Sequence, residues 1–455
     1  MTSDVKLSRY IVTSDELVCE RAHFDGRVIF STRSGALMTI GHHAWEALRL
    51  GHPELLDAAD RQRLEQAQFL VPAGQDELAT MIAQNQDAIA ASDTLYQVVQ
   101  PSAWCQLDCS YCGQEHERHA LAAAEQERFL ARVRERLAGG SYRHLKIGWF
   151  GAEPLVGLAV IRSLSREAKR VAAEYGCGYS ARIVTNGLAL TPAVARELVY
   201  EHAVYDAEVT LDGTAAEHDQ LRFTKNGKGS FARIFANLVA VAHQGDLRLV
   251  VRCNVSRANA AAVAPLIEQL AGAGLARLIS FYTSPVYDWG NDAHQTALGK
   301  DEFAAMELEW LALQARLGFQ VGLVPQRRRI VCMSVQRQGE VTDAFGATYN
   351  CTEVPYVPAY GKPNSYEIRI PVNSIKVRPR QQEAPALRLR HFNQQILEGE
   401  HRQCASCEML PVCGGQCPKS WEESQAPCPS AKHNMRGRLN ILYALAQQAE
   451  DPHAH

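Results

Sequence analysis

The run Tyr96-Gln97-Val98-Val99-Gln100 is followed, three residues on, by Trp104-Cys105-Gln106-Leu107-Asp108-Cys109-Ser110-Tyr111-Cys112. A short β-rich segment thus leads into three cysteines spaced C-x3-C-x2-C, and a helical stretch begins near Ala123. Three thiolates on one tight loop can hold three irons of a 4Fe–4S cube and leave the fourth iron without a protein ligand. Ferredoxin-type carriers use four cysteines instead. The competing reading is a zinc knuckle, which needs a fourth ligand, and His116 stands close enough in sequence to offer one. Spacing alone leaves both open.

Outward from this stretch the chain alternates. β-rich runs fall at Tyr96–Gln100, Leu145–Phe150, Ala181–Thr185, Ala207–Leu211, Leu247–Cys253 and Leu278–Tyr282. Amphipathic helical stretches lie between them, at Ala123–Leu137, Ala159–Tyr175, Pro192–Glu201, Phe231–His243 and Asn259–Ala271. Strands alternating with helices point to an α/β protein with a parallel sheet, here a full or partial (β/α)6 TIM-like barrel. Barrel chemistry sits at the C-terminal ends of strands. Cys105, Glu153, Asn186 and Asp212 each follow such an end, in order.

The loop resembles the signature of the radical S-adenosylmethionine (SAM) superfamily, with the aromatic Tyr111 just before the third cysteine. The resemblance implies that the open iron binds the amino and carboxylate groups of SAM. One electron then cleaves SAM to methionine and a 5′-deoxyadenosyl radical, which abstracts a substrate hydrogen. Gly151-Ala152-Glu153-Pro154 looks like the family's Gly-Gly-Glu-Pro motif, with Ala152 at the second glycine. An alanine there implies that this position does not need a positive φ. Thr185-Asn186-Gly187 looks like the family's Thr-Asn-Gly. Thr210-Leu211-Asp212-Gly213, with His218, Asp219 and Arg222, resembles a segment of the peptide-modifying branch. By resemblance Tyr111, Gly151, Ala152, Glu153, Pro154, Thr185, Asn186, Asp212 and Arg222 are the expected SAM contacts, over roughly residues 96–320.

From about Arg327 the chain turns rich in Cys, Pro, Gly and Arg. Cys332, Gly346 and Cys351 precede Cys404, Cys407, Cys413, Cys417 and Cys428, giving C-x13-G-x4-C, then C-x2-C-x5-C-x3-C, then C. Seven thiolates exceed one tetrahedral zinc site. The pattern resembles the SPASM domain of radical SAM peptide and protein maturases, sulfatase maturases included. That resemblance implies an auxiliary 4Fe–4S cluster on Cys332, Cys351 and Cys417 and a second on Cys404, Cys407, Cys413 and Cys428. With Cys105, Cys109 and Cys112 the expected total is three 4Fe–4S clusters, plus SAM. Residues 333–339 offer no further cysteine to the first auxiliary cluster.

Residues 1 to about 90 read as a strand pair, Val28–Phe30 and Ala36–Ile40 around a turn at Ser34-Gly35, then helices near His43–Leu50 and Asp57–Gln68, then a polar lead (Ala73–Asp93) into the barrel. This loosely resembles the small winged-helix domain that binds leader peptides as an added strand. An unspecialised cap on the barrel is the other reading. His42, His43 and Trp45 are expected to pack and cap a helix. The expected division is 1–92, 93–326 and 327–455. Removing residues 1–90 is expected to weaken leader binding and leave uncoupled SAM cleavage intact. The aromatic stretch Ser284–Asn291 either lines a substrate channel or simply packs.

The bulk numbers agree. Of 455 residues, 46% are hydrophobic and 21% charged, and 47 basic against 50 acidic side chains argue against a non-specific nucleic-acid binder. No signal pattern or long apolar run is present, so no membrane partner and a cytoplasmic location are expected. Thirteen cysteines without a signal pattern suit metal or redox chemistry better than disulfides; Cys19, Cys177 and Cys253 read as ordinary core residues. The expected partners are a leader-bearing precursor peptide and an external one-electron donor of flavodoxin or ferredoxin type. The alternatives are a maturase oxidising a Cys or Ser of a folded protein to formylglycine, and a non-catalytic iron–sulfur electron-transfer protein. No side chain is named as catalytic base.

Overall fold

The computed structural model describes residues 4–19, 24–287, 292–336, 338–368 and 385–449. The N-terminal part holds β1 (Val5–Leu7), β2 (Ile11–Thr13), β3 (Leu17–Cys19), β4 (Phe24–Ser31), β5 (Leu37–Gly41), α1 (His42–Arg49), α2 (Ala58–Gln66), β6 (Leu70–Pro72) and α3 (Glu77–Ala90). β4 carries β5 on one side and β2 and β3 on the other, all antiparallel, and β1 pairs with β6. Helix α3 replaces the polar lead read from sequence. Its few large apolar residues, Leu78, Met81, Ile82 and Ile89, fall with the buried Asn85 at helical spacing. The Asp76 carboxylate caps it by accepting from Ala79 N at 2.9 Å. As expected, Trp45 packs on the core around Ile29, Ile40 and Phe69. The capping expected of His42, His43 and Trp45 is absent: α1 starts at His42 after Gly41 with no side-chain cap, and His42 Nδ1 lies 2.6 Å from Glu16 Oε1.

The middle part follows the predicted alternation. The strands are β7 (Thr94–Val99), β8 (His144–Trp149), β9 (Gly178–Thr185), β10 (Val204–Thr210), β11 (Arg248–Val255) and β12 (Ile279–Pro285). The helices are α4 (Ala123–Gly139), α5 (Leu158–Glu174), α6 (Pro192–His202), α7 (Ala215–Leu221), α8 (Phe231–Gln244), α9 (Val263–Gly272) and α10 (Lys300–Arg316). All six strands are parallel and in chain order. The C-terminal part adds β13 (Glu340–Thr342), parallel to β7, and β14 (Thr348–Tyr349), antiparallel to β13. The sheet runs from β12 to β14 and does not close.

The two sheet faces differ. Leu145, Ile147, Trp149, Ile183, Val209, Val251 and Phe281 bury one face under the helices. At roughly 1.5–3 kcal/mol for each large apolar side chain, this face carries the stability of the sheet. The alternate residues include Lys146, Arg182, Glu208, Arg252 and Tyr282. Parallel strands are usually apolar on both faces, so this polar concave face marks where water or ligand belongs.

The C-terminal part wraps back onto the N-terminal one. Val28 and Phe30 share a core with Met409, Val412, Met435 and Leu439. Tyr10, Met81 and Ile82 share another with Phe392, Ile396, Cys404 and Leu410. The last helix, Ser430–Ala449, lies on α10, with Asn434 Nδ2 donating to Ala304 O at 2.8 Å. Of the isolated cysteines, Cys253 is buried as expected. Cys177 is only half-buried, its thiol 3.2 Å from Tyr142 O, and the side chain of Cys19 lies outside the described residues. No described helix is long and apolar enough to cross a membrane.

Candidate functional site: a thiol-lined cavity at the strand ends

The three-cysteine loop leaves the end of β7 and is held by a return segment after α7. Asp108 N donates to Phe223 O (2.8 Å), Ser110 N to Leu221 O (2.9 Å), and Lys225 N to Gln106 O (3.0 Å). This antiparallel pairing fixes the loop with its thiols facing a cavity at the C-terminal ends of the strands. Cys105, Cys109 and Cys112 line that cavity. Leu107 N (3.4 Å) and Asn186 Nδ2 (3.6 Å) donate to Cys105 Sγ.

Burial pushes the Cys105 thiol up to about 12 and the Cys109 thiol up to about 11. Such thiols stay neutral until a metal displaces their protons. Among the described residues no three cysteine sulfurs lie within 4.8 Å of one another. A tetrahedral zinc site, with Zn–S about 2.3 Å, would hold them about 3.8 Å apart. The wider spread fits a multi-iron cluster better than one zinc ion, although an all-thiol donor set suits either. His116 Nε2 stands 3.9 Å from Cys112 Sγ.

Glu153 joins the second and third strand ends. Its Oε1 accepts from Leu155 N (2.9 Å) and Thr185 Oγ1 (2.7 Å), and Oε2 accepts from Asn186 N (2.7 Å). Burial raises its pKa, while these three donors favour the charged form. Gly151 has φ +115° and a Cβ there would come 2.8 Å from the Gln100 Cβ. Ala152 is not among the positive-φ residues, as its side chain implied.

Of the expected SAM contacts, Tyr111, Gly151, Ala152, Glu153, Thr185, Asn186 and Arg222 line the cavity. Pro154 and Asp212 do not. Pro154 starts a buried turn of 3-10 helix. Asp212 sits behind Tyr111, whose hydroxyl donates to its Oδ2. Asn254 N donates to Asp212 Oδ1 at 2.7 Å, and Arg222 Nη1 to Tyr111 Oη at 2.6 Å. The network braces the loop from beneath.

The cavity also takes residues that sequence reasoning passed over: Arg252 and Asn254 from β11, and Glu353 and Val357 from the C-terminal part. The position of Arg252 and Asn254 at a fifth strand end was the available signal; Glu353 had none beyond lying two residues after Cys351. Tyr287 lines the wall too, which places part of the aromatic stretch at the cavity, while residues 288–291 lie outside the described residues.

The C-terminal cysteines assemble in two groups. Cys404, Cys407, Cys413 and Cys428 line one small apolar cavity together with Met409 and Trp421. Cys332 and Cys417 lie close enough to Cys351 to act on its thiol, and Glu353 acts on Cys332 and Cys351 alike. The link between the groups, Cys413 to Cys417, turns through Gly414, Gly415 and Gln416, all at positive φ. A Cβ on Gly415 would meet the Phe392 ring at 2.7 Å.

An open α/β sheet with a three-thiol loop at its strand ends and a thiol-rich C-terminal part defines an iron–sulfur protein class. Residues 99–278 match the family model of the radical SAM superfamily, so the chain carries a radical SAM domain. That makes it an enzyme and implies a 4Fe–4S cluster and SAM. No curated protein matches the chain. Its fold is similar to native anSMEcpe with bound AdoMet and Kp18Cys peptide, at TM-score 0.57 and 14% identity over 78% of this chain and 99% of that one. It is likewise similar to anSMEcpe with AdoMet and Cp18Cys peptide, at TM-score 0.56 and 16% identity over 78% and 97%. Streptococcus suis SuiB bound to precursor peptide SuiA aligns at TM-score 0.45 and 13% identity over 94% and 98%. The anSMEcpe likenesses show a shared fold and nothing of substrate.

Proposed function

We propose that this enzyme modifies a ribosomally made precursor peptide by hydrogen abstraction from a side chain or Cα. Three 4Fe–4S clusters serve it, one on Cys105, Cys109 and Cys112, one on Cys332, Cys351 and Cys417, and one on Cys404, Cys407, Cys413 and Cys428. A cluster with an open iron supplies, when bound, the electron that cleaves SAM to methionine and the 5′-deoxyadenosyl radical. The chain's own residues position SAM: Gly151, Ala152 and Glu153 at one strand end, Thr185 and Asn186 at the next, and Arg222 and Tyr111 beside the loop. Pro154 and Asp212 act from behind, by shaping the turn and by holding Tyr111.

One observation carries the reading. The cavity has the three-thiol loop on one wall and Glu353 and Val357 on another, and Glu353 adjoins the Cys332–Cys351 group. The radical and the thiol-rich part therefore address the same space, where a substrate group can meet both. Residues 1–92, 93–326 and 327–455 serve as leader-binding, radical-forming and auxiliary-cluster units. Support for leader binding is the outer edge of β5, which has no partner strand among the described residues. It borders a groove lined by Met38, Ile40, Ala44 and Leu64, into which an extended peptide can add as a strand.

The test is anaerobic reconstitution and reduction with dithionite in the presence of SAM. The wild type is expected to form 5′-deoxyadenosine, and the Cys105→Ala/Cys109→Ala/Cys112→Ala variant none. Formation by the triple variant would remove the site assignment.

A further inference from the structure

Resting on that reading, we infer that the outer face of the three-cysteine loop is the docking site of an acidic, low-potential one-electron carrier protein, centred on Trp104. The inner face of the loop looks into the substrate cavity, so a protein donor must approach from the outer one. Trp104 is half-buried and one peptide bond from Cys105. Two cations flank its ring, Arg118 Cζ at 4.8 Å and Lys225 Nζ at 5.0 Å from the centroid. Lys225 and Lys228 stand exposed on a tight turn, where Gly227 N donates to Thr224 O at 2.7 Å and Thr224 N to Lys228 O at 2.9 Å. That turn belongs to the segment that pairs with the loop, so the cations are held in place against it.

The face carries a positive surplus. Asp108, 3.2 Å from Lys225 Nζ, and Asp219, whose carboxylate lies against Gly229 beside Lys228 and accepts from Ser230 N, offset two of the three cations and leave a surplus of one. Glu115 and Glu117 line a different cavity, with Tyr356 and Lys362. A local surplus on a chain of net charge −3 favours oriented encounter with an acidic partner. Trp and Arg are also the side chains that most often anchor interfaces. In the transfer the carrier loses one electron and the cluster gains one; no bond forms or breaks.

The experiment compares two reductants in the reconstituted holoenzyme. Dithionite is small and needs no docking face, whereas reduced flavodoxin, the probe for an acidic carrier, does. In the Arg118→Glu/Lys228→Glu variant, the flavodoxin concentration for half-maximal 5′-deoxyadenosine formation should rise at least about tenfold, with a weaker salt dependence. The dithionite-driven rate should stay unchanged, and the Arg118→Lys/Lys228→Arg variant should behave as wild type. An unchanged flavodoxin requirement would overturn the inference, as would a parallel fall in the dithionite-driven rate. A wild type silent with dithionite would instead overturn the proposed function, and the docking face with it.

Discussion

His218 shows how tightly the site is braced at the level of one side chain. It is fully buried, its Nδ1 accepts from Asp212 N (3.1 Å), and Nε2 faces Ser230 Oγ (2.9 Å). Burial first, and then the Arg222 charge, depress its pKa to about 3. A depressed histidine stays neutral in the fold while the unfolded chain takes up a proton below about pH 6.5. Its contribution is therefore complete above about pH 6.5 and is lost as pH falls toward 3, at about 1.4 kcal/mol per pH unit. Unfolding measured between pH 6.5 and 5 should show this slope, and His218→Gln should flatten it. Equal slopes in both proteins would refute the account. Gly151 gives a second outcome. Gly151→Ala puts a Cβ into Gln100 at an unfavourable φ, so 5′-deoxyadenosine formation should fall at least about tenfold, as expected for a small misplacement of reacting groups. Residues such as Cys105 and Glu153 were legible because spacing and strand-end position mark them. Arg252 carried only the strand-end position, without a motif, and Glu353 had neither, because the fold alone brings it to the cavity.

At the scale of elements, all six barrel strands and five of the helices were legible, since period-2 and period-3.6 patterns survive in long amphipathic segments, while α7 and α10 were not. Helix α3 was not, because a narrow stripe of Leu78, Met81, Ile82 and Ile89 suffices to dock it, and the surrounding polar residues hide the stripe. Nor was β13, three residues that gain meaning only by pairing with β7. The loop and its return segment form one such unit. Their pairing is backbone to backbone, so thiol replacement should leave it intact. The triple replacement of Cys105, Cys109 and Cys112 should lower iron from about twelve to about eight per chain. The Cys404→Ala/Cys407→Ala variant should also lose about four irons but still cleave SAM with dithionite. Iron and sulfide analysis beside chromatography of 5′-deoxyadenosine distinguishes the two. Loss of cleavage in the second variant would mean that the groups are not independent.

Across the whole molecule the three parts are less separable than the sequence suggests. Removing residues 1–90 was expected to leave uncoupled SAM cleavage intact. The structure makes that truncation a poor test, because it strips Phe30, Tyr10 and Met81 from cores shared with Met409, Leu410 and Cys404. A further tie is Arg9 Nη2, which donates to Ala405 O at 2.8 Å. The N-terminal part is thus a wall of the Cys404 group as well as the candidate leader site, and two point changes separate these roles. Phe30→Ala removes a fully buried ring and should cost about 3–5 kcal/mol. The loss should fall on the Cys404, Cys407, Cys413 and Cys428 group, seen as a drop of about four irons, while the barrel, whose core is separate, still cleaves SAM with dithionite. Thr39→Pro removes a backbone donor and stiffens the β5 edge. It should leave iron content and SAM cleavage unchanged and weaken binding of a leader-bearing precursor, measured by calorimetry. Undiminished precursor affinity in the Thr39→Pro protein would remove the β5 edge as the leader site. Full iron content in the Phe30→Ala protein would show that the shared core does not support the cluster.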